Sequence, residues 1–167
     1  LNGLTLGGVG RGTTISNIEV VGNLDDGIEF FGGCVNASNL IVWAQGDDAF
    51  DVDQGWFGVV NNYVNVEGTE SDHGLELDGG EGSTNPYFRF ESGTFLSTDG
   101  VEFHFRDLAI GSVQYDYMMG TANIEADSAT SVLIDATVGA DTSVFGWTMT
   151  NIDKFRDKFE FKSDVFV

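Results

Sequence analysis

The chain has few basic residues, and this scarcity bears on function more than any other feature of its composition. Lysine and arginine together number 7 of 167 residues, against 27 aspartate and glutamate residues, so the formal net charge is −20 at pH 7. Such a surface repels phosphate groups and anionic lipid headgroups, which argues against nucleic acid as a partner. The same surface attracts cations, and carboxylate oxygens are the hard ligands that Ca²⁺ prefers.

Cysteine, proline and long apolar runs are scarce as well. Cys34 is alone, so no disulfide forms within the chain, and we interpret this residue as a small buried hydrophobe. No apolar run reaches the ~20 residues that a membrane-spanning helix needs, so membrane insertion is not expected. Proline occurs once, whereas glycine occurs 23 times and phenylalanine 14 times. Abundant aromatics argue against disorder, and frequent glycine suits short strands joined by tight turns.

A five-residue phrase recurs along the chain: a polar residue, a small one, an apolar one, a polar or acidic one, and an apolar one. Its copies are 2–6, 26–30, 48–52, 73–77, 99–103, 122–126 and 145–149. Their first residues are 22 to 26 positions apart. A second phrase around Asn17, Asn39 and Asn62 keeps the same period. Two phrases at one period indicate a single structural unit that is repeated.

The repeat predicts an all-β fold. Alternating apolar and polar residues are typical of a strand with one buried face, and this period is typical of one turn of a solenoid. We therefore predict a right-handed parallel β-helix of about seven coils over residues 1–150, followed by a C-terminal cap or edge segment at 151–167. Equivalent residues would lie ~4.8 Å apart, and the repeated asparagines would hydrogen-bond their copies in neighbouring coils.

This stacking brings carboxylates together on the outer face of the predicted helix. Asp51, Asp53, Glu76 and Asp78 would outline a rectangle of roughly 4.8 by 6.6 Å on two neighbouring coils. The column that contains Asp51 and Glu76 is predicted to continue through Glu102. A bound cation, raised pKa values or simple solvation would relieve the repulsion. We predict a Ca²⁺ site at the rectangle, with a solvated acidic face as the alternative.

Asp47, Asp48 and His73 are the candidate catalytic residues. Residues 46–50 read Gly-Asp-Asp-Ala-Phe, and His73 is followed by glycine one coil later; this resembles the polygalacturonase pattern. In that family the Asp-Asp pair and the His-Gly pair serve acid, base and positioning roles in inverting pectin hydrolysis, so the resemblance implies those roles here. Residues 24–26, however, read Leu-Asp-Asp where the family has Asn-Thr-Asp, and the family's Arg-x-Lys is absent. Turn formation is the alternative role for the Asp-Asp pairs.

A second resemblance covers roughly residues 1–80. Residues 1–15 and 25–33 are similar to β-helical segments of large surface proteins of Bacteroidota-type bacteria. This resemblance implies export and a secreted or cell-surface location, and it implies no reaction. The chain has no start Met, and we interpret it as a mature product or a fragment of a larger protein.

Two hypotheses for the function remain. The first is a non-catalytic extracellular module, stabilised by Ca²⁺, that serves as a structural rod, an adhesin or a glycan-binding unit. Its partner would be a polysaccharide or another surface protein, and self-assembly into a homo-oligomer or filament is open. The second is a polysaccharide-degrading enzyme, a polygalacturonase-like hydrolase or a lyase. The lack of basic residues favours the first, because β-helix enzymes that act on uronates need cationic groups against the substrate.

Overall fold

A computed structural model describes residues 1–80, 87–108, 110–119, 121–127 and 130–148, and within these ranges twelve strands form two parallel sheets. The first sheet contains β1 (Leu4–Gly7), β3 (Ile28–Phe31), β5 (Phe50–Asp53), β7 (His73–Asp78), β9 (Val101–Arg106) and β11 (Ala122–Ala126). The second sheet contains β2 (Ile15–Val21), β4 (Ala37–Trp43), β6 (Val59–Val66), β8 (Tyr87–Leu96), β10 (Ile110–Met119) and β12 (Val132–Asp135). A 3-10 helix, Thr142–Phe145, follows.

The chain is an all-β parallel solenoid, which confirms the predicted fold class. Each strand pairs in parallel with the strand two places further along the chain, so the described strands make about five turns. The predicted number of about seven coils was too high. The described residues of the last copy of the phrase do not form a strand, and the six strands of each sheet bound about five full turns. Phe145 ends the 3-10 helix, whose backbone Ser143 N–H donates to the side chain of Asp141. The predicted cap at 151–167 lies outside the described residues. Among the residues that the structure describes, no helix is long and apolar enough to cross a membrane.

The apolar positions of the repeated phrase fill the interior between the two sheets. One column of register partners consists of Leu4, Ile28, Phe50, Leu75, Phe103 and Ile124. Its central members, Ile28 to Phe103, are fully buried, whereas Ile124 on the last strand of the sheet is exposed. Aromatic rings from the second sheet pack against this column. The ring of Phe90 lies 6.0 Å from that of Phe50, 6.0 Å from that of Trp56 and 5.5 Å from that of Tyr63, all edge-on. The solenoid is therefore a filled rod with an aromatic core.

The repeated asparagines form the predicted ladder at a bend in the second sheet. Asn39 donates to the side-chain oxygen of Asn17 at 3.1 Å, and Asn62 donates to that of Asn39 at 2.9 Å. All three have positive φ angles, between 54° and 61°, a conformation that asparagine tolerates better than most residues. Ser92 takes the next position with φ 59°.

The register between β7 and β9 differs from the prediction by two residues. Leu75 pairs with Phe103 and not with Val101. A slip of two positions keeps the apolar face inward, because side chains alternate with a period of two. The slip seats Phe103 against the rings of Phe95 and Tyr115, at 4.8 and 5.0 Å. Aromatic packing therefore accounts for a register that spacing alone does not predict.

The slip also changes which polar side chains are neighbours on the outer face. His104 lies beside Glu76, and Arg106 lies beside Asp78. The predicted continuation of the acidic column through Glu102 is therefore wrong. Two basic side chains stand next to the carboxylates where the repeat predicted a further acid.

The core predicts a large loss of stability on truncation of Phe90. Phe90→Ala should lower the free energy of unfolding by about 3–5 kcal/mol, because it opens a cavity among three aromatic rings. Urea unfolding followed by fluorescence measures the change. The matched control is Leu24→Ala, whose side chain is 90% exposed and should change stability by no more than ~0.5 kcal/mol. Equal effects of the two substitutions would contradict the described core.

Candidate functional site on the first sheet

Asp48 and His73 form the central contact of the candidate site. The Asp48 carboxylate is buried, with the residue 2% exposed, and its Oδ1 atom lies 2.7 Å from His73 Nδ1. The same oxygen accepts the backbone N–H of His73 at 2.9 Å. One coil earlier, Asp26 Oδ1 accepts the backbone N–H of Asp48 at 3.2 Å. The acids that open two consecutive copies of the phrase, Asp26 and Asp48, thus each hold the start of the next coil.

The pair carries opposite charges at neutral pH. The hydrogen bond with Asp48 raises the pKa of His73 to about 9, although burial of the ring opposes the change. Burial tends to raise the pKa of Asp48, but its hydrogen bonds with His73 and Glu76 outweigh burial and lower the pKa below its usual value. Both shifts favour an imidazolium beside a carboxylate. The contact is therefore a partly buried ion pair that links β7 to the turn before β5.

Glu76 connects this pair to the basic residues of β9. Its Oε1 atom lies 3.3 Å from His104 Nδ1 and accepts a hydrogen bond from Arg106. Arg106 also contacts Asp78, with 2.8 Å between Nε and Oδ1. Burial, followed by the hydrogen bond with Asp48, raises the pKa of Glu76 to about 8, even though Arg106 acts in the opposite direction. Arg106 therefore relieves part of the repulsion that the sequence predicts here.

The acidic column continues toward the start of the chain through Asp51 and Glu29. These residues are register partners, and oxygens of Asp26, Glu29 and Asp51 lie within 4.8 Å of one another. Burial raises the pKa of Asp51 to about 9, and the charges of Asp26 and Glu29 add to the effect. Glu29 also accepts a hydrogen bond from Asn2. A shared proton is therefore one way in which this part of the face lowers its charge.

The four residues of the predicted Ca²⁺ rectangle have different partners. Asp51 and Glu76 are register partners. Asp78 contacts Arg106, and Asp53 Oδ1 accepts the backbone N–H of Gln54 at 2.6 Å. Asp51 forms a closer cluster with two carboxylates outside the rectangle: its oxygens lie within 4.8 Å of those of Asp26 and Glu29. A Ca²⁺ site at the rectangle stays a prediction.

Asp47, the third candidate catalytic residue, lies next to Asp48 but is not part of the hydrogen-bonded Asp48–His73 contact. Its side chain is half-buried, and its oxygens lie within 4.8 Å of those of Asp48 and Asp72. Burial and the charge of Asp48 raise the pKa of Asp47. The structure thus brings the three candidates into one neighbourhood and joins two of them directly.

The residues predicted for the site did not include His104 or Arg106, although the repeat placed His104 on the outer face beside Asp78. Both occupy outward positions of β9, where the repeat indicated Glu102 instead. Aligning the apolar pair Phe103 and Phe105 with the apolar positions of β7 would have placed them correctly. The alternation of inward and outward residues does not separate the two alignments, but charge does, because only the observed one pairs Glu76 and Asp78 with the basic residues His104 and Arg106.

An acidic cleft of about 330 Å³ opens beside the site, along the turns that follow the second sheet. Hydroxyl and carboxylate side chains line much of it: Glu67, Ser71, Asp72, Ser97, Asp99 and Glu102. Burial raises the pKa of Glu67 to about 8. One carboxyl oxygen of Glu67 is buried without a hydrogen-bond partner.

Fold and site define a class of protein: a parallel β-solenoid with a charged cluster on the outer face of one sheet. The family model of the pectate-lyase-like β-helix domain matches residues 1–102. The match covers more than half of the chain, and the protein belongs to this family. Neither the curated proteins nor the solved structures contain a significant match. The matched range includes Asp47, Asp48 and His73 but ends before His104 and Arg106.

The pKa shifts predict that the protein loses stability as the pH rises from about 6.5 to about 9. Folded His73 keeps a proton that the unfolded chain releases, so its contribution is complete below 6.5 and is lost as the pH passes 9. The raised pKa values of Glu76 and Asp51 act in the same direction, because the unfolded chain ionises these carboxyls first. Urea unfolding at constant ionic strength with a chelator measures the dependence.

Two substitutions isolate the contribution of the ion pair. His73→Gln should make the decline in this pH range shallower, with the contributions of Glu76 and Asp51 remaining. Asp48→Asn should also make it shallower, because it removes the group that raises the pKa of His73. Glu70→Gln removes an exposed charge from the same connecting loop and should leave the decline unchanged. A His73→Gln slope equal to that of the wild type would show that the pair contributes nothing.

Proposed function

We propose that this chain is a non-catalytic module of a secreted or cell-surface protein and that it binds a neutral polysaccharide. One observation carries the proposal: the Asp48 carboxylate, which the polygalacturonase pattern assigns to catalysis, is used to hold the next coil. The residue is 2% exposed, and its Oδ1 atom contacts both the backbone and the ring of His73.

Glycoside hydrolysis requires two carboxyl groups that reach opposite sides of a sugar. One protonates the glycosidic oxygen, and the other activates water or attacks the anomeric carbon. Asp48 is buried beneath the surface that a sugar would contact, and Asp26 is only 9% exposed. Both accept backbone hydrogen bonds from the following coil. This arrangement favours a scaffold role for the two acids.

The acidic cleft supports a glycan as the partner. Its carboxylates and hydroxyls are hydrogen-bond acceptors and donors of the kind that match sugar hydroxyls. Carboxylates dominate its charge, so the cleft would repel a uronate chain. A neutral polysaccharide is therefore the better ligand, and the solenoid would act as a rod or adhesin that carries this cleft.

The second candidate function is polysaccharide degradation with Asp47, Asp48 and His73 as the catalytic residues. The observation that favours it is the 2.7 Å contact between Asp48 and His73, which joins two residues of the polygalacturonase pattern across neighbouring coils. The family name also refers to pectate lyases. A direct assay separates the two functions.

Incubation with polygalacturonate and a panel of neutral glycans should release no reducing ends and form no unsaturated product. The same protein should retain a neutral glycan in affinity electrophoresis. Glu102→Gln should weaken that retention about tenfold, because it removes a charged acceptor from the cleft. Glu70→Gln, outside the cleft, should not change it. Product release that disappears in Asp48→Asn would replace the proposal with the enzymatic function.

We also propose that Ca²⁺ binds the carboxylates around Asp51, Asp53, Glu76 and Asp78 and stabilises the module. A ligand that binds only the folded state at a hundredfold excess over its Kd adds about 2.7 kcal/mol. Thermal unfolding with millimolar Ca²⁺ should therefore give a higher Tm than NaCl of matched ionic strength.

Paired substitutions test where Ca²⁺ acts. Asp51→Asn combined with Asp53→Asn should remove the gain in Tm. Glu70→Gln combined with Asp107→Asn removes two exposed charges elsewhere and should preserve it. Equal Tm shifts in both salts would mean that the cation only screens the acidic face, and the site would be withdrawn.

A further inference from the structure

The two histidines of the chain lie next to each other. The sequence contains only His73 and His104. They lie on β7 and β9, with ring centroids 5.3 Å apart and ring planes inclined at 42°. Both side chains are partly exposed, at 19% and 28%. The repeat does not require this arrangement, since it results from the two-residue slip between the two strands.

A carboxylate holds the same ring atom of each histidine. Asp48 Oδ1 lies 2.7 Å from His73 Nδ1, and Glu76 Oε1 lies 3.3 Å from His104 Nδ1. A carboxylate on one ring nitrogen fixes the hydrogen there and leaves the other nitrogen as the donor atom. Histidines that bind metals in proteins are commonly oriented by such a carboxylate. Two adjacent rings thus share the arrangement that surrounds a metal-binding histidine.

We propose that His73 and His104 together bind one divalent transition-metal ion of the Zn²⁺ type through their Nε2 atoms, with Asp48 and Glu76 as positioning residues. Zn–N bonds of ~2.0–2.1 Å at a tetrahedral angle place two imidazole centroids ~5 Å apart, close to the spacing observed here. The metal takes the place of any proton on Nε2, which passes to solvent. Two coordination positions remain for water or an external oxygen ligand.

The surrounding charges favour a divalent ion. The buried Asp48, the exposed Asp72 and the partly exposed Asp78 supply negative charge near the pair, Glu76 contacts His104, and Arg106 contributes one opposing charge. Arg106 contacts Glu76 directly, so it holds that carboxylate in place as an acceptor for His104. Imidazole nitrogen suits Zn²⁺, Cu²⁺ and Ni²⁺ better than Ca²⁺. The inference therefore stands apart from the Ca²⁺ proposal and from glycan binding.

The test uses the natural protein with ¹⁵N-labelled histidine, in which two imidazoles give all the ring signals. Without metal, both rings should carry hydrogen on Nδ1. Addition of Zn²⁺ in the presence of excess Ca²⁺ should shift the Nε2 resonances of both rings at a ratio of one ion per chain. Zn²⁺ that binds while neither Nε2 resonance moves would overturn the proposal, because it would be attached to surface carboxylates only.

Substitutions test whether Zn²⁺ binds to the two histidines or to the acidic face as a whole. His104→Gln should lower the affinity for Zn²⁺ in calorimetry at least tenfold, whereas Glu70→Gln should leave it unchanged. Glu76→Gln should weaken binding less than His104→Gln and should disturb the tautomer of His104 in the spectrum. If His104→Gln binds Zn²⁺ as tightly as the wild type, the proposal fails. Neither result depends on whether the module binds glycan.

Discussion

The stacking of parallel strands at one spacing, ~4.8 Å, is the constraint on which the other features depend. Each side chain has its counterpart in the next coil as a nearest neighbour. Inside the solenoid, this condition favours columns of apolar residues such as Phe50 and Leu75. At a bend it favours residues that hydrogen-bond their own copies, as Asn39 does with Asn17 and Asn62. On the outer face it places acid against acid, and that repulsion must be relieved locally.

The structure relieves the repulsion in different ways at different coils. Asp48 pairs with His73, and Arg106 bridges Glu76 and Asp78. Asp51 has no such basic partner among the contacts described, and burial beside other acids raises its pKa to about 9. The basic groups therefore lie at one end of the acidic column, whereas carboxyl groups with raised pKa values occur along its length. A cation that binds this face would compete with protons at Asp51 and with Arg106 at Glu76.

The sequence predicted the fold well because a solenoid repeats one local pattern. Strand alternation could be recognised within a single coil, and the period and the asparagine ladder could be recognised by comparing successive coils. The errors arose where one coil differs from the next. The seventh copy has the right residue types, but Phe145 belongs to a 3-10 helix that packs outside the second sheet against Ile41, Val64 and Leu96. Its apolar character reflected that contact and not an interior position.

The sequence predicted the acidic residues of the candidate site and His73. It did not assign the basic residues His104 and Arg106 to the site. Asp48 and His73 could be found because the resemblance to the polygalacturonase pattern singles them out, and they occupy the same position in consecutive copies of the phrase. His104 and Arg106 depend on a slip that preserves the inward and outward alternation, so the alternation alone does not distinguish the two registers, although only the observed one sets bases beside Glu76 and Asp78. The size of the core decides between them, because Phe103 fills the space between Phe95 and Tyr115. Packing inside the solenoid thus determines which charges meet on its surface.

The buried state of Asp48 also changes how the polygalacturonase resemblance is interpreted. A catalytic acid must contact substrate, whereas an acid that supports a coil must contact the backbone of the next one. Asp26 and Asp48 make the same backbone contact in successive coils, which is the behaviour of a structural repeat. At one coil the ring of His73 makes an additional contact with this structural acid. Asp48 therefore both holds the backbone of the next coil and orients an imidazole. A function specific to this chain is therefore better sought at the two histidines and their neighbours than at the repeated acids.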